Sequence, residues 1–265
     1  PWSVKNITKY SAIELLRRYS SLVPDFLQRV VMIDSYIKPM DLVRLQLSIG
    51  MVPSPYRPNL GVPPVKVNSE MRRKIRLDEG ENLFESILSE CIPLHIPRIY
   101  VEGYSDLVQR ALKAYPKNPK VILTANAYKD NEGFKFWAAS QVDRGAKLAV
   151  TPHGGHIGDG LWSTDDDHEL KISDRYFSWG WDSPDENKTV PMPSSYLASA
   201  KEKFKQDPQG TILCVTCSFP RYSYVMFSVP MGPVILKNFE LQKQFCAKVI
   251  PEVHDLLMVR LFPVN

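Results

Sequence analysis

Residues 151–169, TPHGGHIGDGLWSTDDDHE, hold three of the chain's five histidines, four glycines and a run of three aspartates. Histidine titrates near neutral pH and serves as acid, base or metal ligand. Glycine lets a backbone approach a ligand and turn its N–H groups toward an anion. Two chemistries compete for the stretch. A metal site would draw on His153, His156, Asp165, Asp166, Asp167, His168 and Glu169. However, His153 and His156 lie three apart across Gly-Gly, which does not fix two imidazoles on one face as a helical H-E-x-x-H does. Three consecutive aspartates do not all reach one ion without unusual geometry. They suit the first turn of a helix, capped by Ser163 or Thr164, where carboxylates meet the positive end of the dipole. No metal is therefore assigned. The other chemistry is a phosphate cradle, with Gly154 and Gly155 approaching an anion and His153 at a strand tip as donor, acid or base. A tight surface turn with a hydrogen-bonded histidine is the simpler alternative.

The surrounding elements favour the cradle. Residues 98–103 (RIYVEG), 120–127 (KVILTANA), 146–152 (AKLAVTP) and 174–181 (DRYFSWGW) have the apolar, β-branched character of short strands. Amphipathic stretches separate them: YSDLVQRALKAY, then DNEGFKFWAASQVDRG. In the second, Asp130 or Asn131 is positioned to cap and Gly145 to terminate. Phe134, Trp137, Ala138 and Val142 fall on one side of it. Strand, helix, strand, repeated, implies a parallel sheet, and such sheets bind ligands beyond the carboxyl ends of their strands. The histidine stretch begins at such an end. Trp179 and Trp181 flank Gly180 just after another strand, where they pack in the core or stack on a sugar or base.

Upstream, RVVMIDSYI opens strand-like. PMDLVRLQLSIG has helical spacing, with Leu42, Leu45 and Ile49 on one face and Gly50 as its stop. Residues 51–64 are a breaker-rich loop. Residues 71–97 read as helical, ending before Pro93, with MRRKIR on a solvated face. Residues 182–210 are polar and proline-rich, a connection with one short helix. TILCVTCSF, NFELQKQFCAKVIPEV and DLLMVRLFP then form one further strand–helix–strand unit. The reading is α/β, with a domain over 1–190, a linker over 191–210 and the start of a second domain over 211–265.

Composition excludes several classes. At 265 residues, 44% apolar and 23% charged, the chain is an ordinary globular protein. A net charge of +4 is too mild to argue for nucleic acid. No apolar run approaches the ~18–20 residues of a membrane span. No secretory signal is visible, but the chain starts at Pro1-Trp2 and stops in strand-like LMVRLFPVN, so a longer parent protein is expected. Cys214 and Cys217 form a C-x-x-C inside a strand-like run, where residues three apart face opposite sides. That placement argues against redox or zinc use and fits reduced thiols in a cytoplasmic protein.

The order HGG, IG, HELKISDRYFSWGW, preceded by DNEGFKFWAASQVDRGAKLAV, resembles a family of transferases from bacterial surface-carbohydrate gene clusters, of O-antigen and capsule type. VVMIDSYIKPMDLVRLQLSIGMVPSPY and LHIPRIYVEGYSDL look like that family's N-terminal half. TCSFPRYSYVM and VRLFP look like the start of its C-terminal half. The family is similar to the GT-B glycosyltransferases that include Kdo-type capsule transferases. The resemblance implies two Rossmann-like halves facing a cleft, the C-terminal one truncated here. It also implies metal-independent transfer, without cofactor, from a CMP-, UDP- or GDP-linked sugar to a glycan or lipid-linked glycan. This would occur in the cytoplasm or peripherally at the inner face of its membrane. It carries His153, Gly154 and Gly155 over as the H-G-G loop. Glu169 and Asp174 become the acidic positions before W-G-W, and Arg221, Tyr222 and Arg260 the donor-phosphate side. His153, Glu169 and Asp174 are the candidates for taking the acceptor's proton. A metal-dependent hydrolase using the His/Asp cluster and a non-catalytic carbohydrate-binding module are the competing readings.

Overall fold

A computed structural model describes residues 19, 22–53, 60, 64–75, 77–78, 80–154, 163–182, 187–201, 203–205, 207, 210–216 and 233–260. The chain divides into two compact units, residues 1–202 and 203–265. The first unit is built on a five-stranded sheet: β1 (Val30–Ile33), β2 (Val121–Thr124), β3 (Lys147–Val150), β4 (Arg175–Ser178) and β5 (Thr189–Pro191). All neighbours pair in parallel, and the spatial order follows the chain. The architecture is a Rossmann-like α/β layer. The helices are α1 (Pro39–Ser48), α2 (Ser69–Arg73), α3 (Leu83–His95), α4 (Tyr104–Ala114), α5 (Ala127–Asp130), α6 (Glu132–Asp143), α7 (Thr164–Ile172) and α8 (Ser195–Lys201). In the second unit β6 (Ile212–Val215) and β7 (Leu257–Arg260) pair in parallel, connected through α9 (Pro233–Lys248) and α10 (Pro251–His254). Among the described residues no helix is long and apolar enough to cross a membrane.

The capping chemistry is regular. Asn68, Asn82, Asn131 and Ser163 each accept from the backbone N–H three residues on, starting α2, α3, α6 and α7. Gly145 ends α6 with φ +96°, the left-handed conformation glycine adopts without penalty. On α6, Phe134 and Trp137 are fully buried, with Ala138 beside them, and Val142 packs at the edge. Trp137 stacks on Tyr115 at 4.8 Å and donates its indole N–H to the Pro116 carbonyl at 2.9 Å. Ile33, Ile122, Val150 and Tyr176 meet these rings from the sheet.

Several local expectations fail. RIYVEG is a 3-10 turn at Arg98–Tyr100, not a strand. The 182–210 connection contributes β5 to the first sheet. On α1 the buried residue is Gln46, while Leu45 and Ile49 are exposed. Helix α3 does not stop before Pro93 but runs through it to His95.

That last correction explains another. Arg72, in the supposedly solvated MRRKIR face, is buried. Its guanidinium donates to Glu102 through Nε (2.6 Å) and Nη2 (2.9 Å), and to the carbonyls of Pro93, Leu94 and Ile96. All five donors are thus used, three of them on orphan carbonyls at the end of α3. The hydrogen bonds from Arg72, and that from the Asn68 backbone N–H, hold Glu102 down to about 2. A carboxylate depressed on folding contributes stability that is present above its unfolded pKa and lost as pH falls through the folded value. Arg72→Met is expected to lower the thermal midpoint by several degrees at pH 7. The gap to the parent should narrow as melts are repeated toward pH 2 without vanishing, because the three carbonyl hydrogen bonds do not titrate, and a constant gap would contradict this account.

Candidate active site

The carboxyl ends of β2, β3 and β4 bring one cluster together. Pro152 and His153 follow β3, Tyr128 and Lys129 sit on α5 just after β2, and α7 leads back toward β4. Thr124 at the tip of β2 accepts from the Ala127 N–H at 3.0 Å, which turns the chain into α5. Ser163 caps α7 through the Asp166 N–H at 3.3 Å, so the aspartate run is a helix start, as its composition predicts.

Glu169 lies at the base of the cluster with no solvent exposure. Tyr128 donates its hydroxyl to Oε1, and Tyr176 donates to Oε2 at 2.9 Å. Burial pushes the Glu169 carboxyl up, against the pull of the two phenols. Both phenols are pushed up as well, by burial and by Glu169, so they remain donors.

His153 lies above this carboxylate, about a quarter exposed, with Nδ1 3.7 Å from Glu169 Oε1. That is too long for a hydrogen bond, and the buried Nδ1 has no hydrogen-bond partner among the described residues. On the other side Lys129 Nζ is 3.3 Å from Nε2. An ammonium only donates, so Nε2 accepts and the ring proton rests on Nδ1, aimed at Glu169. Lys129 also pairs with Asp165 at 2.7 Å. Burial, then the Lys129 charge, hold His153 below the ordinary imidazole range, against the opposing pull of Asp165. The result is a neutral imidazole with its basic nitrogen on the Lys129 ammonium and a carboxylate behind it. This is a general-base geometry.

The family model of the LIC12162 family transferase matches residues 3–265. The chain belongs to this family. No curated protein and no solved structure matches it. As a transferase it moves a group from donor to acceptor.

Within this LIC12162 family transferase the anticipated residues separate. His153 and Glu169 come together, but Glu169 is buried with both oxygens engaged by Tyr128 and Tyr176. Asp174 is not brought to them. It precedes β4, at the amino ends of the strands, where it accepts from Lys147 Nζ at 2.8 Å and the Leu148 N–H at 2.9 Å. Burial pushes its carboxyl up, but these partners outweigh that and lower it. It is a strand clamp. Gly154 has φ +135°, with no atom of the described residues within 4 Å of where a Cβ would stand. Trp179 and Trp181 also part ways. Trp179 is 41% exposed at the carboxyl end of β4, whereas Trp181 packs on Tyr176 at 5.5 Å. Arg260 ends β7 with its side chain exposed, at the carboxyl edge of the second unit's strands. Gly155, His156, Cys217, Arg221 and Tyr222 lie outside the described residues. Among the described residues no group of three His, Cys, Asp or Glu side chains could hold a metal. Asp165 faces His153 across the Lys129 ammonium.

Sequence reasoning missed Tyr128, Lys129 and Tyr176. The first two were within reach, since ANAYKD follows β2 as HGG follows β3. It also missed the tip of β1, where Asp34 (φ 47°) and Tyr36 (φ 57°) are left-handed without being glycine. Tyr36 hydroxyl accepts from Asn126 Nδ2 at 3.0 Å, extending the same carboxyl edge. Such strained backbone gathers at ligand sites. A cavity of about 310 Å³ lined by Phe26, Arg29, Ile49 and Lys120 opens at the amino ends of β1 and β2, remote from this chemistry.

Proposed function

We propose that this transferase is a GT-B-like glycosyltransferase, moving a sugar from a nucleotide-linked donor to a surface glycan or lipid-linked glycan. The observation that carries the reading is the placement of His153 between Glu169 and Lys129 at the carboxyl end of a parallel strand. An acceptor hydroxyl approaching Nε2 gives up its proton there. Its oxygen bonds to the anomeric carbon as the bond from that carbon to the donor phosphate breaks, and the phosphate leaves with the electron pair. His153 becomes an imidazolium facing Glu169. Lys129 must leave Nε2 before the hydroxyl can reach it. The donor phosphate is the natural recipient of that ammonium, which then stabilises the leaving charge. Trp179 offers an open ring for the sugar or base. Arg221, Tyr222 and Arg260 are the proposed contacts to the rest of the donor.

The test is calorimetry with CMP, UDP and GDP, followed by nucleotide release from the matching sugar donor. One nucleotide should bind, and Lys129→Ala should weaken it about tenfold, a loss of ~1.4 kcal/mol. Binding of none of the three, or an unchanged affinity in Lys129→Ala, sinks the corresponding part of the proposal.

A further inference from the structure

The tip of β1 displays a tyrosine in a conformation that folding alone does not select. Asp34 and Tyr36 both lie in the left-handed region, at φ 47° and 57°, with buried Ser35 between them. Aspartate visits that region readily, whereas a bulky tyrosine there is a genuine outlier, and glycine takes the same φ without penalty. The ring is not buried by this, since Tyr36 is 53% exposed. Its hydrogen bond comes from Asn126, which makes it instead of capping. Asn126 stands at the cap position of α5, yet its side chain caps nothing. Thr124 accepts the Ala127 N–H, and the Asn126 amide crosses from the tip of β2 to the tip of β1, donating to the Tyr36 hydroxyl at 3.0 Å. The strain at Tyr36 and the cap forgone at Asn126 thus have one shared result, an exposed aromatic ring held in a fixed place.

We infer that Tyr36 and Asn126 form a carbohydrate subsite, the ring face stacking on a sugar and the polar groups beside it meeting the sugar's hydroxyls. Among the described residues neither side chain has a further hydrogen-bond partner. Tyr36 therefore keeps its O–H donor, and Asn126 its carbonyl oxygen and second amide N–H. Donors and an acceptor at the edge of an apolar ring match a sugar, whose hydroxyls both give and receive beside a C–H face. The position fits as well, because ligands of parallel sheets lie along this carboxyl edge. Strands β1 and β3 are two strand spacings apart, roughly 10 Å, and Asn126 lies between them just ahead of Lys129. The assignment to one substrate rests on the glycosyl-transfer reading. Trp179, on the β4 side of His153, is the ring offered to the donor, so Tyr36, on the β1 side, takes a sugar of the acceptor. That sugar is a neighbour of the one whose hydroxyl meets Nε2, which makes the acceptor an oligosaccharide.

Saturation-transfer NMR of the purified protein with methyl α-mannoside, methyl α-galactoside, methyl α-rhamnoside, N-acetylglucosamine and maltose tests the subsite. At least one of these should bind, its ring protons receiving saturation from aromatic side chains. Tyr36→Gly should weaken that sugar about tenfold or more. Asn126→Ala should weaken it about fivefold, the loss of one hydrogen bond. Thermal melts of Tyr36→Gly should stay at the parent's midpoint or above, because glycine relieves the strained φ and little packing is lost. If Tyr36→Gly melts lower, Asn126→Ala decides alone. No binding by any of the five sugars overturns the inference, and so does binding that the deciding variant leaves intact. Nucleotide calorimetry separates this from the transfer reading. A nucleotide that binds while no sugar does removes the subsite alone. A sugar held by Tyr36 with no nucleotide bound removes the transfer reading and leaves the subsite in place.

Discussion

Replacement of His153 by alanine is expected to lower kcat by ~10²–10⁴-fold while leaving nucleotide affinity within a fewfold of the parent, the range for loss of a positioned general base. The pH profile separates this from a packing defect. A base must be unprotonated to act, so kcat/KM should fall on the acid side as His153 takes up a proton. Burial and the Lys129 ammonium hold that event below the ordinary imidazole value of about 6.5. The enzyme should therefore be fully active at pH 7, with its acid limb below that value. Lys129→Ala removes the second cause and keeps the first, so the limb should move to higher pH without losing the influence of burial. Of the other groups around the ring, Asp165 favours the imidazolium, and Tyr128 and Tyr176 stay neutral throughout. The expected shift in Lys129→Ala is upward, because a cation 3.3 Å from Nε2 has been removed. A flat acid side in the parent, or full activity in His153→Ala, would remove His153 from the chemistry.

The parallel layer was legible because its signals are local. Short β-branched runs alternate with amphipathic stretches, and Asn131, Ser163 and Gly145 punctuate the helices where their side-chain chemistry dictates. His153 was legible because a strand led straight into it. Glu169 was found as an acidic residue, but its burial beneath two tyrosines was not. Tyr176 is one more aromatic in an apolar strand, and nothing nearby in sequence tells that its hydroxyl finds a carboxylate seven residues back. Asp174 shows the converse error. It stands next to a strand as His153 does, but before β4 where His153 follows β3. In a parallel sheet that difference places the two at opposite ends. RIYVEG misled through composition, since β-branched residues accept a 3-10 turn when Pro97 and Gly103 bracket them. MRRKIR misled because one of its arginines finds a buried carboxylate some thirty residues away.

Glu169→Gln is expected to produce a protein that is more stable at neutral to alkaline pH and less active. Burial raises the folded-state pKa of Glu169, so ionising it costs the folded state more than the unfolded chain. The cost is complete above the folded pKa and vanishes below the unfolded one, about 4.3. Glutamine keeps the shape and never ionises. Each tyrosine hydroxyl keeps a partner, one still donating to the amide oxygen and the other accepting from the amide nitrogen. Melts of Glu169→Gln against the parent should thus show a gain that is largest at high pH and shrinks toward pH 4. Over the same series kcat should drop about a hundredfold or more, because the imidazolium formed during transfer has lost the carboxylate behind it. Glu169→Ala should behave differently. It leaves a cavity and two buried phenol hydroxyls without a partner, a loss of roughly 2–5 kcal/mol. A purely structural Glu169 predicts that activity follows stability through both variants. A positioning Glu169 predicts that they move in opposite directions in Glu169→Gln, and that outcome would tie the buried carboxylate to the proton transfer on His153.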